Sequence, residues 1–97
     1  MMETELKRVI RDFPDYPKPG IIFKDISPIL MDMDLYGQVI STFAERIREM
    51  NIDAIVGIES RGFWFGPSIA HLLNIPFIPI RKKGKLPGET YSYSYDL

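Results

Sequence analysis

Two stretches of the chain space their apolar residues as the buried side of an amphipathic helix does. Between Glu3 and Phe13 these residues recur at positions i, i+3, i+4 and i+7, and a second stretch keeps a period of 3.6 residues for four turns. The pattern predicts a first helix that ends by Phe13, because Pro14 follows, and a second helix that begins at Asp34 and has Asn51 as a left-handed cap. The apolar positions are Leu6, Val9, Ile10 and Phe13 in the first helix and Leu35, Val39, Ile40, Phe43, Ala44, Ile47 and Met50 in the second.

Two short apolar runs flank a further stretch with helical spacing. The runs from Asp53 to Ile58 and from Pro76 to Arg81 have the length and the branched side chains of strands, and residues Phe63 to Leu73 between them favour a helix. A crossover connection of this length joins parallel strands, and parallel strands are usually buried on both faces. The sequence therefore predicts an α/β fold with an open parallel sheet and helices on both faces.

Two other segments connect or follow these elements. The sequence PDYPKPG, residues 14–20, contains three prolines and one glycine, and it predicts a stiff extended loop that places residues 21–23. Asp25 or Ser27 is suited to cap a short helical turn with Pro28 at its first position. Near the end of the chain, tyrosines alternate with polar residues, which predicts a half-exposed strand. These tyrosines are Tyr91, Tyr93 and Tyr95.

The composition excludes several classes of protein. Of the 97 residues, 45% are apolar and 26% are charged, which predicts one globular domain, or part of one, rather than a disordered chain. The lack of cysteine excludes a disulfide framework, a thiolate zinc site and a cysteine nucleophile. No apolar stretch is long enough to span a membrane, and the sequence MMETELKR is not a targeting peptide. The lack of cysteine fits a reducing compartment, and we expect no membrane partner.

The net charge of −1 conceals a local excess of positive charge. Residues 81–85, with the sequence RKKGK, hold four of the twelve basic side chains and none of the thirteen acidic ones, and we call this segment the basic loop. A compact basic loop on an otherwise acidic chain favours a small anionic ligand over a long polyanion such as a nucleic acid. A solvated surface loop is the other interpretation of the same run.

The turn after the first predicted strand is the strongest candidate for chemistry. Ligands of open α/β sheets gather at the carboxyl ends of the strands, where Glu59, Ser60, Arg61 and Gly62 lead into a helix. Free backbone N–H groups and Arg61 would make this turn an anion site, and the basic loop follows the second strand at the same edge. A salt bridge from Arg61 to Glu59 or another local acid is the alternative. The sequence has neither a Walker loop nor a GxGxxG motif, so a phosphate site here is of another kind.

Other reactive or aromatic residues fit a functional role less well. Ser60 lacks the glycine spacing of a hydrolase nucleophile, and His71 lies more than two turns into the following helix, where a structural or surface role is expected. The aromatic run Phe63, Trp64 and Phe65 is typical of core packing, although a ligand stack has the same composition. The tyrosines near the basic loop leave one alternative outside catalysis, a module that binds single-stranded nucleic acid. The acidic remainder of the chain disfavours it.

Three segments together resemble one family. They are FPDYPKPGIIFKDISPIL at residues 13–30, IESRGFWFGPSIA at residues 58–70 and IRKKGKLPGETYSYSYDL at residues 80–97. In this order and at these spacings they are similar to the N-terminal half of the adenine phosphoribosyltransferase family. The resemblance implies that residues 1–97 are the N-terminal part of a single type I phosphoribosyltransferase domain. It also implies a cytoplasmic purine-salvage glycosyltransferase that converts adenine and phosphoribosyl pyrophosphate to AMP and pyrophosphate, with Mg²⁺ bound to the phosphoribosyl pyrophosphate.

The resemblance also implies roles for individual residues. Phe23 would stack on adenine, and the main chain of Ile22 and Lys24 would hydrogen-bond to the edge of the base. Arg61 would be the catalytic residue and would contact the pyrophosphate group, in a turn whose peptide bond after Glu59 is cis. No residue is assigned to a metal, and no nucleic acid is expected as a partner. The other substrate-binding residues would be Glu59 and Ser60 of that turn and, across a homodimer interface, Arg81, Lys82 and Lys85.

The sequence departs from the family pattern towards its end. The family reads phosphoribosyl pyrophosphate with paired acids and a Thr-Gly-Gly loop that cradles the 5-phosphate, and these residues contain no adjacent acid pair and no Thr-Gly. The family's flexible-loop glutamate is also missing. We therefore expect a fragment, a split gene product or a truncated version that is inactive by itself. A phosphoribosyltransferase for another purine and the nucleic-acid module are the alternatives.

Overall fold

The computed structural model describes residues 2–92 and residue 94. The chain divides between Asn51 and Ile52 into two units, and the expectation that one domain spans the whole chain stays a prediction. The first unit contains α1 (Met2–Val9), β1 (Arg11–Pro14), β2 (Ile22–Asp25), α2 (Pro28–Met31) and α3 (Met33–Arg48). The second unit contains β3 (Ile55–Ile58), α4 (Arg61–Leu73) and β4 (Phe77–Ile80).

The first helix is shorter than its apolar stripe. α1 ends at Val9, and a hydrogen bond of 3.0 Å from Ile10 N to Leu6 O closes its last turn. The prediction that this helix extends towards Phe13 is wrong, because β1 follows and pairs with β2. Pro14 has no N–H to continue a helix, whereas it is tolerated at the end of a short strand.

β1 and β2 form an antiparallel hairpin that the sequence analysis did not predict. In its register Arg11 lies opposite Asp25. The Asp15 carboxylate accepts a hydrogen bond from Gly20 N at 3.0 Å and thereby closes the connecting loop. Asp15 and Gly20 have φ values of 57° and 87°, a region that glycine and short polar residues adopt most readily. The predicted irregular loop, residues 14–20, is confirmed for residues 15–20, whereas Pro14 belongs to β1.

Local polar groups set the starts of α2 and α3. Pro28 is the first residue of α2, as predicted, and Ser27 precedes it without a capping bond from its side chain. The Asp25 carboxylate instead accepts a hydrogen bond from Ser27 N at 3.0 Å. α3 begins one residue before the predicted Asp34, because Asp32 is its N-cap and accepts a backbone hydrogen bond from the first turn at 3.1 Å.

The helices of the first unit pack around the apolar stripe of α3. Phe43 and Met50 are 50% and 64% exposed, so the prediction that they share the buried face is wrong. The other helices of this unit are short, and they leave the outer positions of the stripe in solvent. Asn51 has a φ of 52°, which confirms its left-handed conformation. The buried core residues of this unit are Ile29, Leu35, Val39, Ile40 and Ala44.

The second unit confirms the predicted order of strand, helix and strand. β3 and β4 are parallel, with Ile55 opposite Phe77 and Ile58 opposite Ile80. α4 connects them and begins at Arg61, before the predicted start, and each strand is slightly shorter than predicted. Because the strands are parallel, their carboxyl ends lie at the same edge of the pair.

Glycines allow α4 to pack closely on the strands. A Cβ atom at Gly66 would lie 2.3 Å from Phe77 Cε1, and one at Gly57 would lie 2.6 Å from Phe77 Cζ. A Cβ atom at Gly62 would lie 3.1 Å from the backbone of Gly57. The Phe77 ring fills the space that these side chains would need, and it meets the Phe63 ring edge-on with centroids 5.9 Å apart. Phe63 therefore packs against a neighbouring ring, but it is half-buried and is not one of the buried core residues.

We expect Gly66→Ala to lower the free energy of unfolding by about 1–3 kcal/mol, because the Phe77 ring must move to admit the methyl group. The matched control is Gly37→Ala in α3, where a Cβ atom meets nothing within 4 Å. Alanine has the higher helix propensity, so the control should stabilise the chain by up to about 1 kcal/mol. Urea unfolding followed by circular dichroism measures both changes. Equal changes in the two variants would contradict the close packing at Phe77.

One face of the β3–β4 pair is half exposed. α4 packs on the face that carries Gly57 and Phe77. Four branched aliphatic side chains share the other face, and each is 45–55% exposed. The prediction that the first strand is buried on both faces is therefore wrong for this chain, because α4 covers one face and these four side chains keep half of their surface in solvent. They are Val56, Ile58, Ile78 and Ile80.

The segment after β4 has no regular secondary structure among the described residues. Tyr91 is fully exposed and lies in no strand, so the predicted alternating strand is not formed at residues 91, 92 and 94. Tyr93 and Tyr95 lie outside the described residues. Within residues 2–92 and 94, no helix is long and apolar enough to cross a membrane.

Candidate functional site

An aromatic cleft lies on the β1–β2 hairpin of the first unit. It has a volume of about 350 Å³ and is lined by Phe13, Tyr16, Phe23 and Asp25. Phe13 lies directly opposite Phe23 in the antiparallel register. The Tyr16 and Phe23 rings meet edge-on, with centroids 5.3 Å apart and planes at 76°. This volume is at the lower end of the range for small-molecule sites, and the lining suits a flat ring with polar atoms at its edge.

Alternation along β2 decides which side chains reach the cleft. Phe23 and Asp25 are two residues apart and share a face, whereas Ile22 and Lys24 belong to the other face. The Lys24 Nζ atom lies 2.8 Å from Asp12 Oδ1, so this lysine forms an ion pair within the hairpin. The structure thus places the Phe23 side chain in the cleft lined by aromatic rings. On that face of the strand, Ile22 and Lys24 can contribute only their main-chain atoms.

Asp25 carries a negative charge at the rim of the cleft. Its Oδ1 accepts from Ser27 N at 3.0 Å, and its Oδ2 accepts from Arg11 Nη2 at 2.6 Å. The pKa of the Asp25 carboxyl lies below its usual range, because the backbone N–H and the hydroxyl of Ser27 stabilise the anion and the Arg11 guanidinium adds to this effect. The carboxylate is therefore ionised at neutral pH and remains a hydrogen-bond acceptor beside the rings.

The second unit brings the turn at residues 59–62 and the basic loop together. Glu59 N donates to Ile80 O at 2.9 Å, which continues the parallel ladder to the end of the strands. The peptide bond between Glu59 and Ser60 is cis, as the resemblance implied. α4 then begins at Arg61, and Phe63 N donates to Ser60 O at 3.0 Å. The predicted meeting of the two carboxyl ends at one edge is confirmed.

Glu59 connects the turn directly to the start of the basic loop. One oxygen, Oε1, accepts a hydrogen bond from Lys82 N and lies 3.6 Å from Arg81 Nε. The pKa of the Glu59 carboxyl lies below its usual range, chiefly because of the Lys82 N–H and further because of the positive charges of Arg81 and Lys82. The structure places Arg81 on this carboxylate, and the alternative of a salt bridge between Arg61 and Glu59 stays open.

The basic loop forms a tight turn that exposes its cations. Lys85 N donates to Lys82 O at 3.1 Å, and Gly84 has a φ of 87° between them. The side chains of Lys82, Lys83 and Lys85 are exposed, as is Arg61 at the start of α4. Positive charge therefore surrounds the end of the β3–β4 pair, an arrangement that attracts a small polyanion.

Sequence reasoning missed part of the aromatic cleft. Phe13 was assigned to a helix and Tyr16 to an irregular loop, so neither was connected with Phe23. One signal was available, because the hairpin register joins residues of opposite charge at the positions Arg11, Asp12, Lys24 and Asp25. His71 is exposed in the last turn of α4, in keeping with the surface role expected for it.

The last feature of the site is its set of possible metal ligands. Within residues 2–92 and 94, no group of three or more His, Cys, Asp or Glu side chains is arranged to hold one. Magnesium usually keeps several waters and is commonly held by substrate phosphates together with one or two carboxylates. The Mg²⁺ ion that the resemblance implies, bound with phosphoribosyl pyrophosphate, stays a prediction.

Comparison with known proteins defines the class. No protein-family model matches the chain. The solved adenine phosphoribosyltransferase of Thermoanaerobacter pseudethanolicus matches 97% of this chain with a TM-score of 0.91 and 45% identity, and the match covers 56% of that chain. The solved enzyme of Saccharomyces cerevisiae, complexed with an iminoaltritol bisphosphate and adenine, matches 93% of this chain with a TM-score of 0.86 and 42% identity, and 56% of that chain is covered. The fold is therefore the α/β fold of the type I phosphoribosyltransferases, as predicted.

Sequence similarity points to the same family. The curated adenine phosphoribosyltransferase of Cytophaga hutchinsonii is 50% identical over 97 residues, which is 100% of this chain and 54% of that protein. The chain is thus a homologue of the adenine phosphoribosyltransferases along its whole length. It spans about half the length of the curated relatives that it matches.

Proposed function

We propose that this chain is part of an adenine phosphoribosyltransferase of cytoplasmic purine salvage. The enzyme joins adenine to phosphoribosyl pyrophosphate and releases AMP and pyrophosphate. The observation that carries the proposal is the 50% identity to a curated enzyme of this name over the entire chain. The aromatic and the cationic site described above support it, because one substrate is a flat aromatic base and the other is a polyanion.

The aromatic cleft suits the base. Adenine is flat and apolar on its faces, so the ring of Phe23 gains stacking energy and the ring of Tyr16 supports Phe23 from its edge. The edge of the base carries hydrogen-bond donors and acceptors, which the main chain of Ile22 and Lys24 would satisfy. The yeast relative was solved with adenine bound, in keeping with a base site in this fold.

The cationic end of the second unit suits pyrophosphate. In the reaction the bond from the ribose C1 to the pyrophosphate oxygen breaks, and a bond from C1 to N9 of adenine forms as N9 loses its proton. Positive charge develops on the ribose and negative charge on the leaving pyrophosphate. Arg61 and the basic loop would stabilise that negative charge, and preorganised charge of this kind acts most strongly where water is excluded.

Magnesium and a second subunit belong to the same proposal. Mg²⁺ would enter on the oxygens of phosphoribosyl pyrophosphate and neutralise part of its charge. In a homodimer, Arg81, Lys82 and Lys85 would reach the pyrophosphate of the neighbouring subunit. The exposure of Lys82 and Lys85 is compatible with this role.

The proposal is tested with the chain in a completed form. We define the completed chain as residues 1–97 joined to the segment of the Cytophaga hutchinsonii relative that the match leaves uncovered. We expect it to form AMP from adenine, phosphoribosyl pyrophosphate and Mg²⁺, and to use hypoxanthine and guanine poorly. A preference for hypoxanthine or guanine would indicate a transferase for another purine. No turnover with any purine, together with salt-dependent binding of single-stranded RNA, would favour the nucleic-acid module.

In the completed chain, Phe23→Ala should lower kcat/KM for adenine by about 1–3 kcal/mol of transition-state stabilisation. The stacking surface is lost, while the main-chain contacts to the base survive. Phe43→Ala is the matched control, because Phe43 is a half-exposed phenylalanine of the same unit that lies outside the cleft. Steady-state kinetics with varied adenine give the comparison. If both variants keep wild-type adenine kinetics, the stacking role of Phe23 is wrong.

A further inference from the structure

Glu59 is an unexpected residue for a site that binds pyrophosphate. Its carboxylate precedes Ser60 and Arg61 in the turn that the proposed function assigns to this anion. A negative charge within a few ångströms of a bound anion repels it, by about 1 kcal/mol or more depending on solvent access. A direct substrate contact from Glu59 is therefore unfavourable, unless other groups take up its charge.

The structure shows which groups take up that charge. The Glu59 side chain is 17% exposed, and its Oε1 faces both Lys82 N and Arg81 Nε. The two partners are 22 and 23 positions further along the chain, so the contact ties the end of β3 to the residues that follow β4. Hydrogen bonds to a charged carboxylate are stronger than those between neutral groups, so this contact should stabilise the conformation of the basic loop.

The contact also constrains the residues that come after Lys82. The carbonyl oxygen of Lys82 accepts from Lys85 N at 3.1 Å, so the residue whose N–H is held by Glu59 is also the first residue of the tight turn. Arg81 faces the same carboxylate, with its Nε atom 3.6 Å from Glu59 Oε1. One carboxylate thus orients an arginine and anchors the backbone of the basic loop.

We infer that Glu59 is a positioning residue, which holds Arg81 and the Lys82 backbone so that the basic loop presents its cations to the pyrophosphate group. This inference rests on the proposed function for the identity of the anion. It revises the direct substrate contact that the resemblance implied for Glu59. Its carboxylate acts through the basic loop and does not itself touch the substrate.

The direction of change in anion binding separates this role from a simple charge effect. The chain is titrated with inorganic pyrophosphate by calorimetry, as wild type and as Glu59→Ala, Glu59→Gln and Glu89→Gln. We expect Glu59→Ala to weaken binding about tenfold although it removes a negative charge, because the loop loses its charge-assisted anchor. The affinity of Glu59→Gln, which keeps a hydrogen-bond acceptor, should lie between those of the wild type and Glu59→Ala. The control Glu89→Gln removes an exposed carboxylate of the same unit and should not weaken binding. Unchanged or tighter binding in Glu59→Ala overturns the inference.

A second measurement needs no ligand. Amide hydrogen exchange of the ¹⁵N-labelled chain should be at least about tenfold faster at Lys82 and Lys85 in Glu59→Ala than in wild type. The amide of Ile75, which donates to Ala70 O at 3.0 Å, reports on the integrity of the unit and should not change. If Glu59→Ala also loses protection at Ile75, the unit itself is disturbed, and the exchange rates at Lys82 and Lys85 are then compared between Glu59→Gln and wild type. Unchanged exchange at Lys82 and Lys85 contradicts the inference.

The two experiments separate a failure of the inference from a failure of the proposed function. Failure of the wild type to bind pyrophosphate would count against the proposed function, and the exchange result would still test the role of Glu59.

Discussion

The chain on its own is expected to form no AMP from adenine and phosphoribosyl pyrophosphate above the uncatalysed background. Recognition of the 5-phosphate in the family it resembles depends on paired acids and a Thr-Gly-Gly loop, and residues 1–97 contain neither. Without that contact the ribose is not held against the adenine site, and positioning of this kind contributes several kcal/mol to catalysis, roughly 7–11 in favourable cases. The loss should therefore be complete within the sensitivity of an ordinary assay.

The measurement compares three samples at equal concentration: the chain alone, the uncovered segment of the Cytophaga hutchinsonii relative alone, and their mixture. Within the described residues each strand of the β3–β4 pair has one paired neighbour, and one apolar face of the pair is half exposed. The uncovered segment can supply further strands, so the mixture should recover some turnover. The same exposed face should make the chain alone prone to self-association, which size-exclusion chromatography detects. Robust turnover by the chain alone would refute the expectation.

Arg61→Ala in the completed chain should lower kcat/KM for phosphoribosyl pyrophosphate by about 10²–10³-fold, or about 3–4 kcal/mol. Arg61 is the first residue of α4 and follows directly on the cis peptide bond, at the carboxyl end of β3. Its guanidinium would donate charge-assisted hydrogen bonds to the leaving pyrophosphate, and these bonds strengthen as negative charge accumulates on the leaving group.

Lys83→Ala provides the matched control, because it removes an exposed cation of the basic loop that no described contact fixes in position. A mobile ammonium group contributes mainly to the general field, so its removal should change kcat/KM by less than about threefold at physiological salt. Steady-state kinetics at two ionic strengths distinguish the roles. Equal losses in the two variants, both reduced by salt, would mean that the cations act only as a diffuse field.

The elements of the second unit were predictable because their signals are local. Continuous apolar runs defined β3 and β4, helical spacing defined α4, and the parallel pairing followed from the length of the crossover. Because the pairing is parallel, it also placed Glu59, Ser60 and Arg61 at the carboxyl edge of the two strands. The bond from Lys82 N to Glu59 was not predictable, because it joins residues 23 positions apart through a side chain whose rotamer depends on packing.

The first unit shows where local patterns mislead. Phe13 continues the helical period of α1, but Pro14 and the cross-strand partners of β1 favour a hairpin instead. The exposure of Phe43 depends on how much of α3 the short neighbouring helices cover, which periodicity does not report. The aromatic cleft was missed for the same reason, because Phe13, Tyr16 and Phe23 meet only once the hairpin register is known.

That register is protected by the charges of the hairpin itself. In the observed pairing, Arg11 lies opposite Asp25 and Asp12 lies opposite Lys24. A slip by one residue in one direction would set Arg11 against Lys24, and a slip in the other direction would set Asp12 against Asp25. Either error brings like charges face to face and also turns Phe23 away from its partner ring. The four charges therefore disfavour both neighbouring registers and select the strand alignment that assembles the aromatic cleft.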